Sequence, residues 1–168
     1  NQGNVGVGTD SPDSKLKVVD EAGNYAAFGT GSRAIVGESK VTGNWGYMGG
    51  ENQAVYGEHG ETANWGFIGG PTHGVYGQNE ATGNWAYLAT DKYAAYGQNG
   101  QSGNWGMFGS DIYGAYGHHD KSGNFGLLGY ENFGVYGKHS NSGNHGYLGG
   151  TNYGIYAFQG EGGTHAGY

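Results

Sequence analysis

Polar and apolar residues recur along this chain with a period of 20 residues from position 23 onward. Near the start of each unit, an asparagine is followed by an aromatic residue or histidine. From the second unit onward, a second apolar run later in the unit contains a tyrosine. The asparagines are Asn24, Asn44, Asn64, Asn84, Asn104, Asn124 and Asn144. An unbroken register of this kind is the signature of a repeat architecture. It predicts seven units over 23–162, an eighth begun at 163–168 and a separate leader segment over 1–22.

Two runs in each unit are rich in Tyr, Trp, Val and Ile, which favour strands. In the second unit they are Asn44–Gly49 and Gln53–Gly57, and in the last unit Asn144–Gly149 and Tyr153–Ala157. The short connector between the runs contains Gly and Asn, which suit a tight turn. The polar segment that follows the second run is typical of an exposed loop. No window has a helical period, so the sequence predicts an all-β fold.

Alternation along a strand assigns side chains to two faces. Trp45 and Tyr47 fall on one face, and Gly46 and Met48 fall on the other. Two columns hold only Gly or Ala in every unit. They are 26, 46, 66, 86, 106, 126 and 146, and 34, 54, 74, 94, 114, 134 and 154. We expect a second backbone or an aromatic ring to pack directly over them.

Two elongated, fibrous architectures fit this pattern. In an intertwined trimer, three chains surround a common axis and the small columns allow close approach, as Gly does in collagen. In a single-chain β-solenoid, each unit is one coil, and coils stack so that like residues form ladders.

The leader contains the segment Gly3-Asn4-Val5-Gly6-Val7-Gly8-Thr9, then Pro12, then Lys15-Leu16-Lys17-Val18. It closely resembles the GNVGIGT-x-x-P-x-x-KL-x-V segment of phage tail fibres and related bacterial surface fibres. The resemblance covers about 16 of the 168 residues. The later units also resemble the YGVYG repeats of such fibres. The resemblance implies a trimeric all-β fibre, so we favour the intertwined trimer over the solenoid. Because the chain starts at Asn1 and stops within a unit, we expect it to be a piece of a longer protein.

Composition narrows the function classes further. The chain has 40 glycines, but its aromatic content of 15% argues against disorder. A net charge of −7, with scattered Lys and Arg, argues against binding to nucleic acid or to anionic membranes. Cysteine is absent, and no apolar run is long enough for a membrane span, so we expect no membrane insertion.

Three sets of residues are candidates for structural or binding roles. The asparagine column is expected to form a structural ladder that satisfies backbone groups at turns or stacks amide on amide. The tryptophans Trp45, Trp65, Trp85 and Trp105 would either form a core between layers or stack against sugar rings. Tyr93, Tyr113 and Tyr153 belong to a column of mixed polar and aromatic residues that is an equal candidate for glycan contact.

No pattern indicates catalysis or metal binding. His59, His119 and His139 share one column, but other units have Ser, Asn or Gln there, so no regular set of ligands is formed. The carboxylates do not form acid–base pairs, and catalytic motifs are missing. We therefore expect no enzyme activity, no metal and no cofactor.

Together these patterns predict a structural component of an extracellular or virion fibre, a shaft or filament subunit that supports attachment. Its partner would be itself, as a homotrimer or a helical polymer, and it would lie in an extracellular filament or on the virion surface. The alternative is a carbohydrate-binding adhesin that contacts a cell-surface glycan through its rows of aromatic residues.

Overall fold

A computed structural model describes residues 3–160. The fold is all-β with two strands in each 20-residue unit, which confirms the predicted class. The chain divides into two larger compact parts, which we call unit 1 (Asn1–Gly83) and unit 2 (Asn84–Tyr168). From here on, one 20-residue element of the sequence period is called a repeat. The division falls at the start of a repeat. The predicted eighth repeat, 163–168, and the end of the seventh lie outside the described residues.

Unit 1 contains eight strands. They are β1 (Val5–Val7), β2 (Leu16–Val19), β3 (Tyr25–Phe28), β4 (Arg33–Glu38), β5 (Trp45–Gly50), β6 (Val55–Glu58), β7 (Trp65–Ile68) and β8 (Val75–Asn79). Each strand from β2 to β8 pairs antiparallel with its neighbour in sequence. In the leader, β1 pairs with β2 in parallel, with Val5 opposite Leu16.

The described residues of unit 2, 84–160, also form eight strands. They are β9 (Asn84–Leu88), β10 (Tyr93–Gln98), β11 (Trp105–Ser110), β12 (Tyr113–His119), β13 (Asn124–Tyr130), β14 (Phe133–Lys138), β15 (His145–Leu148) and β16 (Ile155–Phe158). Within this unit each strand pairs antiparallel with its neighbour in sequence, from β9 with β10 to β15 with β16. Within each unit the contacts between described strands join only such neighbours, so each unit is a single-layered sheet.

The strand boundaries differ by one or two residues from those expected. The first strand of the second repeat is Trp45–Gly50, and the second strand begins at Val55 rather than at Gln53. The intervening residues form the hairpin turn. In it the Gly49 N–H donates to the Ala54 carbonyl at 2.7 Å, and Gly49 has a φ of 64°. This left-handed conformation favours glycine because it has no Cβ.

The buried apolar residues lie on the face of each sheet that carries the aromatic rings. Among the described residues the buried hydrophobic side chains are Ala27, Val36, Met107 and Leu127, with exposed fractions between 1% and 8%. None of the larger side chains in 3–160 is fully buried. Because no second sheet covers either face within a unit, this burial is due to the neighbouring side chains of the same face, where the large rings lie. The described residues also contain no helix that could cross a membrane.

Candidate functional site

The aromatic face of each sheet carries stacked rings on neighbouring strands. In unit 1, the rings of Tyr47 and Tyr56 lie 5.3 Å apart between centroids, with an angle of 12° between their planes. Phe67 and Tyr76 repeat this arrangement at 5.4 Å and 13°. The pairs sit directly opposite one another in the sheet register. Cross-strand aromatic pairs of this kind stabilise a sheet beyond their buried area.

Unit 2 continues the same construction. Tyr87 stacks on Tyr96 at 5.1 Å and 15°, and Tyr147 stacks on Tyr156 at 4.8 Å and 15°. At two positions of this row the sequence has Met107 and Leu127 in place of an aromatic residue, and both side chains are buried. The row therefore acts as a small one-sided core along each sheet.

The four tryptophans are half-buried in these stacks. Trp105 has Tyr96 on one neighbouring strand at 5.8 Å and Tyr116 on the other at 4.9 Å. Trp45 and Trp65 pack against Tyr56 and Tyr76 at 4.9 and 4.8 Å, and Trp85 packs against Tyr96 at 5.1 Å. Stacking of a sugar ring requires a free indole face, and here neighbouring rings occupy the faces of Trp105.

The three candidate tyrosines at the hairpin turns also lie against the aromatic face. Tyr93, Tyr113 and Tyr153 contact Tyr96, Tyr116 and Tyr156 at 6.0, 5.4 and 5.9 Å respectively. Tyr153 is 58% exposed, whereas Tyr93 and Tyr113 are half-buried. Beside the latter two is a cavity of about 210 Å³. Ligand pockets usually have about 300–1,000 Å³, so this cavity is small for a sugar.

Burial alters the acidity of the stacked phenols. The pKa of Tyr56 is raised to about 12, mainly by burial and further by the hydrogen bond that its hydroxyl donates to Glu58 at 2.9 Å. Burial also raises the pKa values of Tyr76, Tyr96 and Tyr116. These hydroxyls therefore keep their protons to a higher pH than an exposed tyrosine does.

The asparagine column joins successive loops. The side-chain oxygen of each asparagine accepts a hydrogen bond from a backbone N–H in the next loop, at 2.7–3.0 Å in six repeats and 3.4 Å in the first. The pairs are Asn24–Val41, Asn44–Gly60, Asn64–Glu80, Asn84–Gly100, Asn104–Asp120, Asn124–Ser140 and Asn144–Gly160. The amides thus satisfy backbone donors that the sheet ladder does not reach.

The three histidines of the loop column bond within their own loops. The Nδ1 atoms of His59, His119 and His139 lie 3.0, 2.8 and 2.8 Å from the hydroxyls of Thr62, Ser122 and Ser142. Residues 3–160 contain no group of three or more potential metal ligands.

The opposite face, which we call the glycine face, is built from different residues. It carries an apolar row with Met48 and Ile68 in unit 1 and Phe108, Leu128 and Leu148 in unit 2, each 48–63% exposed. Beside it runs a glycine row formed by cross-strand Gly–Gly pairs, such as Gly46 with Gly57 and Gly117 with Gly126. The two rows enclose grooves of about 310 Å³ in unit 1 and about 400 Å³ in unit 2.

The glycine row has two kinds of member. A Cβ on Gly46 or Gly66 would lie 2.6 or 2.7 Å from a carbonyl oxygen of the adjacent strand, that of Tyr56 or Tyr76. The backbone that restricts this column is therefore the neighbouring strand of the same sheet. By contrast, a Cβ on Gly57, Gly77, Gly117 or Gly137 would meet no atom within 4 Å. Sequence reasoning missed this second column, although its signal is the glycine that follows the tyrosine in these repeats.

Comparison with protein-family models, curated proteins and solved structures found no match to this chain.

Proposed function

We propose that this chain is a structural subunit of an extracellular or virion fibre, in which several copies together complete a core that one sheet lacks. The observation that carries this proposal is the exposed apolar row on the glycine face. Stable domains usually consist of at least two packed layers around a core, and each unit here has one layer. Full burial of a Leu, Ile or Phe side chain is worth about 1.5–3 kcal/mol, so burying the exposed half contributes about 1 kcal/mol each.

The sequence supports the same function. The leader resembles that of tail fibres and bacterial surface fibres, and an array of seven similar repeats is suited to a shaft whose length scales with repeat number. The localisation that follows is an extracellular filament or the virion surface.

The architecture of the fibre is part of the proposal. The resemblance favours a homotrimer, with a helical polymer as the other assembly and a single-chain solenoid as the alternative fold. In unit 1, Glu58 lies between Trp45 and Trp65 in the register, so like residues are two strands apart. This antiparallel arrangement supports hairpins donated to a multichain fibre more than coils stacked with like residues in contact.

Light scattering combined with electron microscopy of the native particle tests this function. The expected result is a rod of a few chains or a long filament. A compact monomer at physiological concentration would contradict the proposal.

Glycan binding is the second candidate function. It is favoured by Tyr153, which is 58% exposed at the edge of the stacks and offers a ring to a sugar. A glycan array with the wild-type chain and Tyr153→Ala tests it. Lost binding with an unchanged melting temperature would support an adhesin, and the absence of any bound glycan would contradict it.

A further inference from the structure

We infer that the glycine face binds the glycine face of a second copy of this chain, with the apolar row of each copy in the glycine groove of the other. The inference rests on the proposed function, because it names the surface through which copies associate. Its two-fold pairing selects an assembly of paired copies over the homotrimer that the resemblance of the leader favours.

The two rows have the geometry of a ridge beside a groove. In unit 2 the apolar row and the glycine row cross every strand from β9 to β16. Their positions are two residues apart along a strand, as Ala115 and Gly117 are, which separates the rows by about 6.6 Å. Phe108 and Leu128 project from the apolar row with 63% and 51% of their surfaces exposed. The groove beside them has about 400 Å³ and is lined by Gly117 and Gly126.

Four glycines of the glycine row have no explanation within the chain. Gly117 and Gly137 are exposed, lack a left-handed backbone and have open space where a Cβ would lie. Glycine weakens a strand unless a bend or the close approach of another group requires it. Gly57 and Gly77 repeat the situation in unit 1. A group from outside the chain that approaches this row would explain all four positions.

A second copy fits this surface in shape and pitch. A two-fold axis between two such faces, directed along the rows, places each apolar row over the partner's glycine row. Such a contact is isologous and self-complementary. The strands then run aligned, as in sheet-on-sheet packing. Because the axis lies along the rows, each strand packs on its own counterpart, so that Phe108 lies over Gly106 and Val135 lies over Gly137 of the second copy.

The absence of charge on this face agrees with this occupant. Neither row contains a charged residue in either unit, so two chains of net charge −7 can approach here without burying a charge. Six to eight strands at about 4.8 Å and four residues at about 3.3 Å give roughly 400–500 Å² of face in each unit. A stable interface needs about 800 Å² per partner, so one unit supplies about half of that area.

Two substitutions in the wild-type background test the surface. Phe108→Glu places a charge on the apolar row, and Gly117→Leu fills the groove at a position where the fold has space. Each is expected to weaken association by about 100-fold or more, measured as particle mass by light scattering over a dilution series. Ile112→Glu is the matched control, because Ile112 is 57% exposed in a hairpin turn outside the two rows. It should leave the mass unchanged, and circular dichroism should show the same strand content in all three variants.

Cross-linking tests the ridge-in-groove arrangement directly, since the chain contains no cysteine. Val135→Cys chains are mixed with Gly137→Cys chains and oxidised. A disulfide between these unlike chains is expected, and at higher yield than when Ile112→Cys replaces Val135→Cys. Equal yields throughout would overturn the inference.

The outcomes separate the inference from the proposed function. If the assembly keeps its wild-type mass with both Phe108→Glu and Gly117→Leu, the chain forms its fibre through another surface and the inference fails alone. A rod of three chains would likewise support the fibre and overturn the two-fold pairing. A compact wild-type monomer would overturn both.

Discussion

The side-chain oxygen of Asn124 accepts a hydrogen bond from the backbone N–H of Ser140 at 2.9 Å, across 16 residues of sequence. Asn124→Ala removes the acceptor and should lower the free energy of unfolding by about 1 kcal/mol. Asn124→Asp keeps an acceptor oxygen and should recover most of that loss. Urea unfolding of the three proteins measures the difference. Equal destabilisation by Ala and Asp would mean that the side-chain oxygen contributes little.

Gly66 and Gly77 face each other across a strand pair but should respond differently to the same substitution. A Cβ on Gly66 would lie 2.7 Å from the Tyr76 carbonyl oxygen, so Gly66→Ala should destabilise the chain by about 1–3 kcal/mol. A Cβ on Gly77 meets nothing within 4 Å, so Gly77→Ala should be neutral or stabilise single chains by about 0.4–1 kcal/mol. Thermal melts in dilute solution decide this, and the same loss in both variants would contradict it.

Ala89 has a φ of 56°, at a turn position where Gly49 and Gly69 stand in earlier repeats. A left-handed conformation costs a residue with a Cβ about 1–2 kcal/mol. Ala89→Gly should therefore raise the stability by up to about 1 kcal/mol, measured as a higher urea midpoint. Ala26→Gly, at a position without positive φ, is the control and should lower stability by about 0.5–1 kcal/mol. A lower midpoint for Ala89→Gly would argue against strain at this turn.

The raised pKa of Tyr56 predicts loss of stability in alkali. An unfolded tyrosine ionises near pH 10, whereas in the fold burial and Glu58 raise the pKa of Tyr56 to about 12. Between these values the unfolded state binds fewer protons than the folded state, so stability falls as the pH rises. Tyr56→Phe should flatten this fall in melts recorded from pH 9 to pH 12. An unchanged pH dependence would show that other groups determine the alkaline limit.

Removal of one ring should weaken the stack on both sides. Trp105→Ala loses contacts with Tyr96 and Tyr116 and should cost about 2 kcal/mol, while Trp105→Phe should cost about half as much. Chemical unfolding gives these values. If Trp105→Ala melts normally but no longer binds a glycan that the wild-type chain binds, the indole contacts a ligand and is not a packing residue.

Much of the local structure was predictable because it depends on neighbours in the sequence. The period set the number of strands, and alternation correctly placed Trp45 and Tyr47 on one face. The small column at Gly46 and Gly66 was also recognisable. That the nearest atom is a carbonyl of the adjacent strand required the structure, because this contact joins residues ten positions apart, such as Gly46 and Tyr56.

Simple alternation was insufficient at the turns. It would place Arg33 with Ile35 on the glycine face, yet the Arg33 guanidinium lies 4.6 Å from the centre of the Tyr47 ring on the aromatic face. The backbone departs from regular alternation beside left-handed glycines such as Gly29, which has a φ of 67°. Residues at the turn positions, such as Arg33, consequently lie against the aromatic stacks. Strict alternation of side chains along the strand would not predict this.

By itself the sequence determined the repeat, the all-β class and the division of most strand residues between two faces, because these depend on side-chain size and polarity at fixed spacing. Only the tertiary structure decided that the leader strands pair in parallel, that the tryptophans stack within the sheet of their own unit, and that four glycines of the glycine row face open space. These features depend on which strands lie side by side and on what covers each face. Such contacts arise between segments distant in sequence, so a pattern along one chain does not specify them.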